Sequence, residues 1–366
     1  MPNATVVGAG VFGAWIAHAL NARGWSVTLI EQHGPGNSRS SSGGETRIVR
    51  SGYGTLSTYS RWARQSLPHW LELERRTGGP LFVRTGALFV GGDATWLQDT
   101  QATLAAEEVP VEWLDAGELG QRFPQLDLTD TPGGVFEPDA GVLFARRAVQ
   151  HLVATLIEDG VTFVIRQVKG LADIRARKLD ALIFACGPWL PSLFPDVLRE
   201  VIVPTRQEVF FFGAPAGDSR FTTPQLPAWV AFGEGIYGVP DLEHRGVKVA
   251  IDAHGPEAHP ESLDRTVTAG SVAQVREALK RRLPALADAP VLETRVYQYE
   301  NTTDGHFLLD RLPGHDQVWI AGGGSGNGFK HGPSVGAYVA DQIEGSAPAD
   351  PTFQLEGRPA RRRTVF

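Results

Sequence analysis

The chain is 366 residues long, with 42% hydrophobic and 20% charged residues, the balance of an ordinary globular protein with room for two domains. Its formal net charge of −7 argues against nucleic acid as a main partner, because duplex binding calls for a basic face. The one cysteine, Cys186, excludes an intrachain disulfide and suits a reducing cytoplasm, and no apolar run approaches the ~20 residues of a membrane span.

The chain opens on Thr5-Val-Val-Gly-Ala-Gly-Val-Phe-Gly13. Gly8, Gly10 and Gly13 stand in G-x-G-x-x-G spacing between an apolar strand and a helical pattern beginning near Phe12. In that spacing Gly8 permits the tight turn, Gly10 lets the backbone approach a pyrophosphate, and Gly13 lets helix and strand pack closely. The helix aims its free N–H groups and positive dipole end at that pyrophosphate. A second strand, Trp25-Ser-Val-Thr-Leu-Ile-Glu31, ends where the Glu31 carboxylate can accept hydrogen bonds from an adenosine ribose. Together these parts predict a dinucleotide site. The apolar stretch 6–20 lacks a basic segment before it, so the glycine motif accounts for it better than a signal peptide does.

A polar loop at 34–44 follows and reads as part of a ligand cavity. Residues 56–76 read as an amphipathic helix ended by Gly78-Gly-Pro80, and residues 81–90 as two short strands joined at Thr85-Gly86. Helices are expected near 96–107 and over 146–158, and strands at 161–165 and 181–185. Cys186 follows the last of these and reads as a buried core thiol. From 204 to 298 strand-like runs dominate, among them 208–212, 229–232 and 247–251. An apolar strand, Val318-Trp-Ile-Ala321, runs into Gly322-Gly-Gly-Ser-Gly-Asn-Gly-Phe-Lys330, and a helix follows at 334–344. The basic cluster Arg361-Arg-Arg363 reads as a solvated tail. No internal repeat is evident. The fold class is α/β, with nucleotide-type units interrupted by β-rich insertions.

The second glycine-rich strand-to-helix turn favours a flavin over a nicotinamide, because a helix N-terminus there stabilises charge on the reduced ring. On these residues the chain resembles the FAD-dependent D-amino-acid oxidase superfamily, and within it the monomeric sarcosine oxidase and N-methyltryptophan oxidase branch. The resemblance rests on Gly8-Ala-Gly-Val-Phe-Gly13, the segment Gly44-Glu-Thr-Arg-Ile-Val-Arg-Ser-Gly-Tyr-Gly54, Gly235-Ile-Tyr-Gly-Val-Pro240, Asp304-Gly-His-Phe307 and Gly324-Ser-Gly-Asn-Gly-Phe-Lys330. It implies a discontinuous, Rossmann-like FAD-binding domain over 1–80, 140–203 and 300–366. A β-rich substrate domain would cover 81–139 and 204–299.

By position, the resemblance puts Arg47 beside the flavin ring, Arg50 and Lys330 on a substrate carboxylate, Lys248 at oxygen activation, and Tyr237 and Tyr299 in the pocket. It implies cofactor contacts at Gly8, Gly10, Val11, Phe12, Gly13, Glu31, Gln32, Ser42, Gly43, Thr46, Arg47, Val168, Gly187 and Trp189. The second turn adds Gly324, Gly326, Asn327, Gly328, Phe329 and Lys330. An Arg fork and a Lys point charge do suit a carboxylate. Other readings stand beside these: Arg47 and Arg50 as surface residues paired with Glu45, Lys248 as a solvent-facing strand lysine, and the tyrosines as packing aromatics.

Three positions depart from the pattern. The family's cysteine for covalent FAD attachment is Tyr297 here, so noncovalent FAD is expected. A histidine near the flavin is replaced by Gly43. An active-site histidine aligns with Asp252, with His254 nearby; an inward Asp252 would suit a basic or hydroxylated substrate group. The expected chemistry is oxidation of a C–N bond in an amino acid or secondary amine, giving an imine, with O2 reduced to H2O2 and no metal. A flavin dehydrogenase with another electron acceptor, a catalytically idle FAD subunit and an NAD-linked dehydrogenase are the competing functions. The resemblance also suggests a monomer.

Overall fold

The computed structural model describes residues 1–174 and 179–358; the cluster Arg361-Arg-Arg363 lies outside the described residues. Two sheets organise the chain. The first runs in the order Leu308–Arg311, Val318–Gly322, Ala181–Phe184, Asn3–Val7, Ser26–Glu31, Thr162–Ile165. Asn3–Val7 lies at its centre, parallel to both neighbours, and only Leu308–Arg311 runs antiparallel. Ala181–Phe184 and Val318–Gly322 are buried along their whole length, as a parallel sheet covered on both faces requires. Alternate side chains face opposite ways. Val6 and Ile183 join a core with the helices Val11–Ala22, Ala145–Glu158 and Gly332–Glu344. Val7, Leu182 and Phe184 join another with Leu190 and Leu198.

The second sheet has eight strands, in the order Val291–Thr302, Ile202–Phe212, Val247–Ile251, Ile236–Val239, Ala228–Ala231, Ala87–Val90, Gly133–Glu137, Glu112–Asp115. Its pairings are antiparallel except between Ala228–Ala231 and Ala87–Val90. The same alternation sorts this sheet. Phe210, Phe212, Val247, Val249 and Ile236 face a core shared with Val275 and Leu279. Val209, Phe211, Ala250 and Tyr297 face the other way, with Tyr237 packed against them. Lys248 pairs with Phe211 and so shares that second face, as does Tyr299, two residues along from Tyr297.

Two expectations for the middle of the chain change. The strands at 81–90 do not form a hairpin: Phe82–Val83 joins a three-stranded sheet with Gly141–Leu143 and Arg47–Val49, and Ala87–Val90 enters the eight-stranded one. The strand-rich stretch also contains a 14-residue helix, Ala269–Arg282, capped by the Thr268 side chain accepting from the Ser271 N–H. Its buried Val275, Ala278 and Leu279 follow helical spacing on a largely polar segment, a narrow stripe that is easy to miss beside longer apolar runs. Among the described residues no helix is long and apolar enough to cross a membrane.

Candidate active site

The first glycine turn shows which of its glycines the protein itself needs. Gly8 has φ +103°, and a Cβ there would lie 2.3 Å from the Ala185 carbonyl oxygen. A Cβ on Gly13 would lie 1.9 Å from the Gly8 oxygen. Gly10 differs: its nearest neighbour would be Ser42 Oγ at 3.4 Å, an ordinary contact. Packing within the chain therefore explains Gly8 and Gly13, whereas Gly10 leaves room for the close approach of a group from outside. Helix Val11–Ala22 starts here without a side-chain cap from Gly10; Ser42 Oγ accepts the Val11 N–H at 3.0 Å. The Glu31 carboxylate accepts the Ala9 N–H at 2.9 Å and the His33 N–H at 3.0 Å, which fixes its direction with lone pairs to spare.

A cavity of about 350 Å³ opens beside this turn. Its wall takes Gly8, Gly10, Val11 and Phe12 from the turn, Glu31 and Gln32 from the strand end, and Ser42 and Arg47 from the following loop. Val168, Gly187 and Trp189 also line it, as do Tyr299 and, from the second glycine turn, Gly324, Gly326, Gly328 and Phe329. Five expected cofactor residues are not on this wall: Gly13, Gly43, Thr46, Asn327 and Lys330. Gly43 is hemmed in, since a Cβ would lie 1.8 Å from the Asn37 oxygen, while its carbonyl accepts from Arg146 at 3.1 and 2.9 Å. A side chain therefore cannot be restored at this position without moving the loop.

Cys186 also belongs to the wall. It is half-buried and packs against the core of Val7, Leu182 and Phe184, with Sγ donating to the Val7 carbonyl at 3.3 Å, and burial pushes its thiol pKa up. Glu300 is another residue of the wall that the sequence did not single out. One of its oxygens accepts the Gly324 N–H at 3.3 Å, whereas Oε2 is buried without a partner among the described residues. Burial raises this carboxyl to about 7. An orphaned polar atom and an unfilled approach at Gly10, both on one cavity, fit a dinucleotide with hydroxyls and a pyrophosphate to offer.

Polar residues at and beyond the cavity wall gather in two groups. In the first, Arg47 donates to the carbonyls of Thr46 and Ser41 at 2.8 and 2.6 Å, with its guanidinium 5.1 Å from the centre of the Tyr297 ring. Lys248, only 3% exposed, donates to the Thr46 carbonyl and hydroxyl at 3.1 and 3.3 Å. Strand alternation therefore turns it inward, away from solvent. Burial and then the Arg47 charge hold its ammonium pKa well below the usual lysine value. Tyr299 donates to Asp252 at 3.0 Å. Burial raises the Asp252 pKa, opposed by the Tyr299 bond and the charges of Arg50, Lys330 and Lys248. His254 is half-buried, and burial lowers its pKa.

The second group centres on Tyr53. Arg50 is 7% exposed and Lys330 4%. The guanidinium of Arg50 lies 4.4 Å over the Tyr53 ring, and the ammonium of Lys330 lies 5.1 Å from the same ring and donates to its hydroxyl at 2.5 Å. The hydroxyl also meets His331 Nε2 at 2.8 Å. Burial, and then Arg50, lowers the Lys330 pKa well below its usual value. Glu45, the alternative partner considered for Arg47 and Arg50, instead pairs with Arg146, Arg245 and Arg295 at 3.3, 3.4 and 3.8 Å. Tyr53, His331 and the buried Glu137 are absent from the sequence-based site. The run Arg50-Ser-Gly-Tyr53 offered the one available signal, a tyrosine next to a charged residue beside a glycine-rich loop.

Known proteins resemble this chain along nearly its whole length. The family model for FAD dependent oxidoreductases (DAO) matches residues 3–342. Peroxisomal sarcosine oxidase of Mus musculus is 31% identical over 96% of this chain and 94% of its own length. N-methyl-L-tryptophan oxidase of Citrobacter koseri is 28% identical, over 94% of this chain and 95% of its own. Among solved structures, L-proline dehydrogenase from P. horikoshii superposes with a TM-score of 0.81 at 22% identity, covering 97% of this chain and 96% of that one, and so shares the fold. A strand–glycine turn–helix unit beside a cavity with room at Gly10, in a chain matched almost end to end, makes this protein a member of the DAO family of FAD-dependent oxidoreductases.

Proposed function

We propose that the protein oxidises the C–N bond of an amino acid or secondary amine at the carbon next to nitrogen, with O2 as final electron acceptor. The observation that carries this reading is the pair of buried cations, Arg50 and Lys330, gathered on one tyrosine, Arg50 over its ring and Lys330 at its hydroxyl. Like charges in a low-dielectric site repel each other, so such a pair is poised to receive an anion, and a substrate carboxylate fits both the fork of Arg50 and the point charge of Lys330. Asp252 and Tyr299 would meet a basic or hydroxylated group of the substrate, and Asp252 disfavours a second carboxylate there. Tyr237 would pack beside them.

The residues of the two glycine turns, Glu31 and the cavity wall would hold FAD, which supplies a hydride acceptor when bound. Arg47 would place a positive charge beside it, and Lys248 would hold a proton-bearing nitrogen where O2 is reduced. We assign the FAD-binding domain to 1–80, 140–203 and 300–366 and the substrate domain to 81–139 and 204–299. The membership of the two large sheets supports this division, with Ile202–Phe212 and Val291–Thr302 overrunning it slightly. The reading includes noncovalent FAD and a cytoplasmic monomer.

Anaerobic bleaching of the flavin against a panel of N-methyl, cyclic and D/L amino acids tests the reading. Bleaching by a subset of these compounds is expected; failure of all of them would remove it. Slow reoxidation of the reduced enzyme in air-saturated buffer would remove O2 as acceptor.

A further inference from the structure

Glu137 ends the strand Gly133–Glu137. It is 2% exposed, does not line the cofactor cavity, and has no part in the chemistry proposed above. Its two oxygens accept the Ser51 N–H at 3.0 and 2.8 Å, and Oε1 also accepts the Gly52 N–H at 2.7 Å. Those two amides lie in the chain between Arg50 and Tyr53. Arg50 in turn donates to the Gly52 carbonyl, and Tyr53 carries the hydroxyl that meets Lys330. The turn is pressed close against its support: a Cβ on Gly52 would lie 2.9 Å from both Phe89 and Thr100 and 3.2 Å from Glu137 Oε1.

A buried carboxylate is expensive unless hydrogen-bonded, and a neutral amide would satisfy the packing equally well. A carboxylate does two further things here. It accepts N–H groups with both oxygens, and it sits near the buried cations Arg50 and Lys330: burial raises its pKa to about 7, opposed by the Ser51 and Gly52 N–H bonds and by those two charges.

We propose that Glu137 is the positioning residue for substrate-carboxylate capture: by gripping the Ser51 and Gly52 amides it fixes the turn that aims Arg50 and, through Tyr53, Lys330. The inference rests on the reading of Arg50 and Lys330 as the carboxylate clamp. A binding group must be held to within ~0.5 Å of its working position to be effective, and main-chain anchoring on both sides of a turn achieves this.

The test uses the FAD-loaded enzyme and propionate, a carboxylate with no oxidisable C–N bond, read by the change in flavin absorbance. Glu137→Gln is expected to raise the propionate Kd about tenfold or more, with the substrate KM rising alongside and kcat changing only a few fold. In an Arg50→Ala background the same substitution is expected to change the Kd little, because no clamp is left to aim. Glu137→Asp, which keeps the charge and shortens the reach, should fall between and serves if the glutamine variant fails to fold. A wild-type propionate Kd in a folded Glu137 variant, or fully additive effects with Arg50→Ala, would overturn the positioning role. If the wild-type enzyme itself ignores propionate, the clamp reading fails, and the positioning role falls with it.

Discussion

The ammonium of Lys330 donates to the hydroxyl of Tyr53 at 2.5 Å across 277 positions of sequence, and the guanidinium of Arg50 covers the same ring at 4.4 Å. One tyrosine thus draws together two cations from opposite ends of the chain. If they bind a carboxylate, removing either one costs a charge-assisted contact of about 1.5–3 kcal/mol. Arg50→Ala and Lys330→Met are each expected to raise the KM for carboxylate substrates by roughly 10–100-fold. Steady-state kinetics on substrates with and without the carboxylate checks this; equal losses on both would take the residue out of the clamp.

Lys248 reaches the Thr46 carbonyl from the second sheet at 3.1 Å, so Lys248→Met keeps the bulk and removes the proton-bearing nitrogen. Reaction of the reduced enzyme with O2 is expected to slow by about 10²-fold, the scale of losing one preorganised electrostatic contact, with anaerobic reduction by substrate much less affected. Stopped-flow measurement of the two half-reactions separates these. An unchanged oxygen rate would assign the residue to packing alone.

The two glycines at 10 and 13 should fail in different ways. A Cβ at Gly13 would lie 1.9 Å from the Gly8 oxygen, so Gly13→Ala is expected to destabilise the protein by about 1–3 kcal/mol or more through overpacking. A Cβ at Gly10 meets only Ser42 Oγ at 3.4 Å. Gly10→Ala is therefore expected to leave the melting temperature of the flavin-free protein nearly unchanged while weakening FAD binding by about tenfold or more. Thermal melts and FAD titrations decide it.

Glu300 predicts a pH effect. Burial lifts its carboxyl to about 7, above the ~4.3 of a free glutamate. Between those values the folded protein keeps a proton that the unfolded chain has lost. Its contribution to stability is full at low pH and is lost as the pH rises through about 7, by roughly 4 kcal/mol in total. The flavin-free Glu300→Gln variant should lack this share of the slope. Melting curves of both proteins from about pH 4.5 to 8 that stay parallel would refute it.

Tyr297 stands where the resemblance places an attachment cysteine, and its ring lies 5.1 Å from the Arg47 guanidinium. Acid precipitation is expected to release the FAD into the supernatant; a yellow pellet would contradict noncovalent binding.

Much of the cofactor half was legible from local sequence. A glycine turn, the strand before it and the helix after it lie within a few residues of each other, and each has its own backbone requirement. The inward direction of Lys248 was not legible. A lone lysine in an apolar strand reads equally well on either face, and only pairing with Phe211 in the sheet selects one. Cys186 was half legible: its apolar run is a genuine core strand and the residue packs against that core, but it lies just past the strand's end and also lines the cavity. The helix Ala269–Arg282 was lost among stronger β signals.

The nucleotide turn, the second glycine turn and the family are legible from the residues alone, because these depend on positions close in the chain or on several motifs in a fixed order. The wider surroundings of Arg50 and Lys330 emerge only once the chain is packed. Glu137 holds Gly52, and Tyr53 meets both His331 and Lys330, through contacts between distant segments. Such contacts leave no periodic trace: they arise when sheets and loops pack, and burial then makes every polar group seek a partner wherever the fold supplies one.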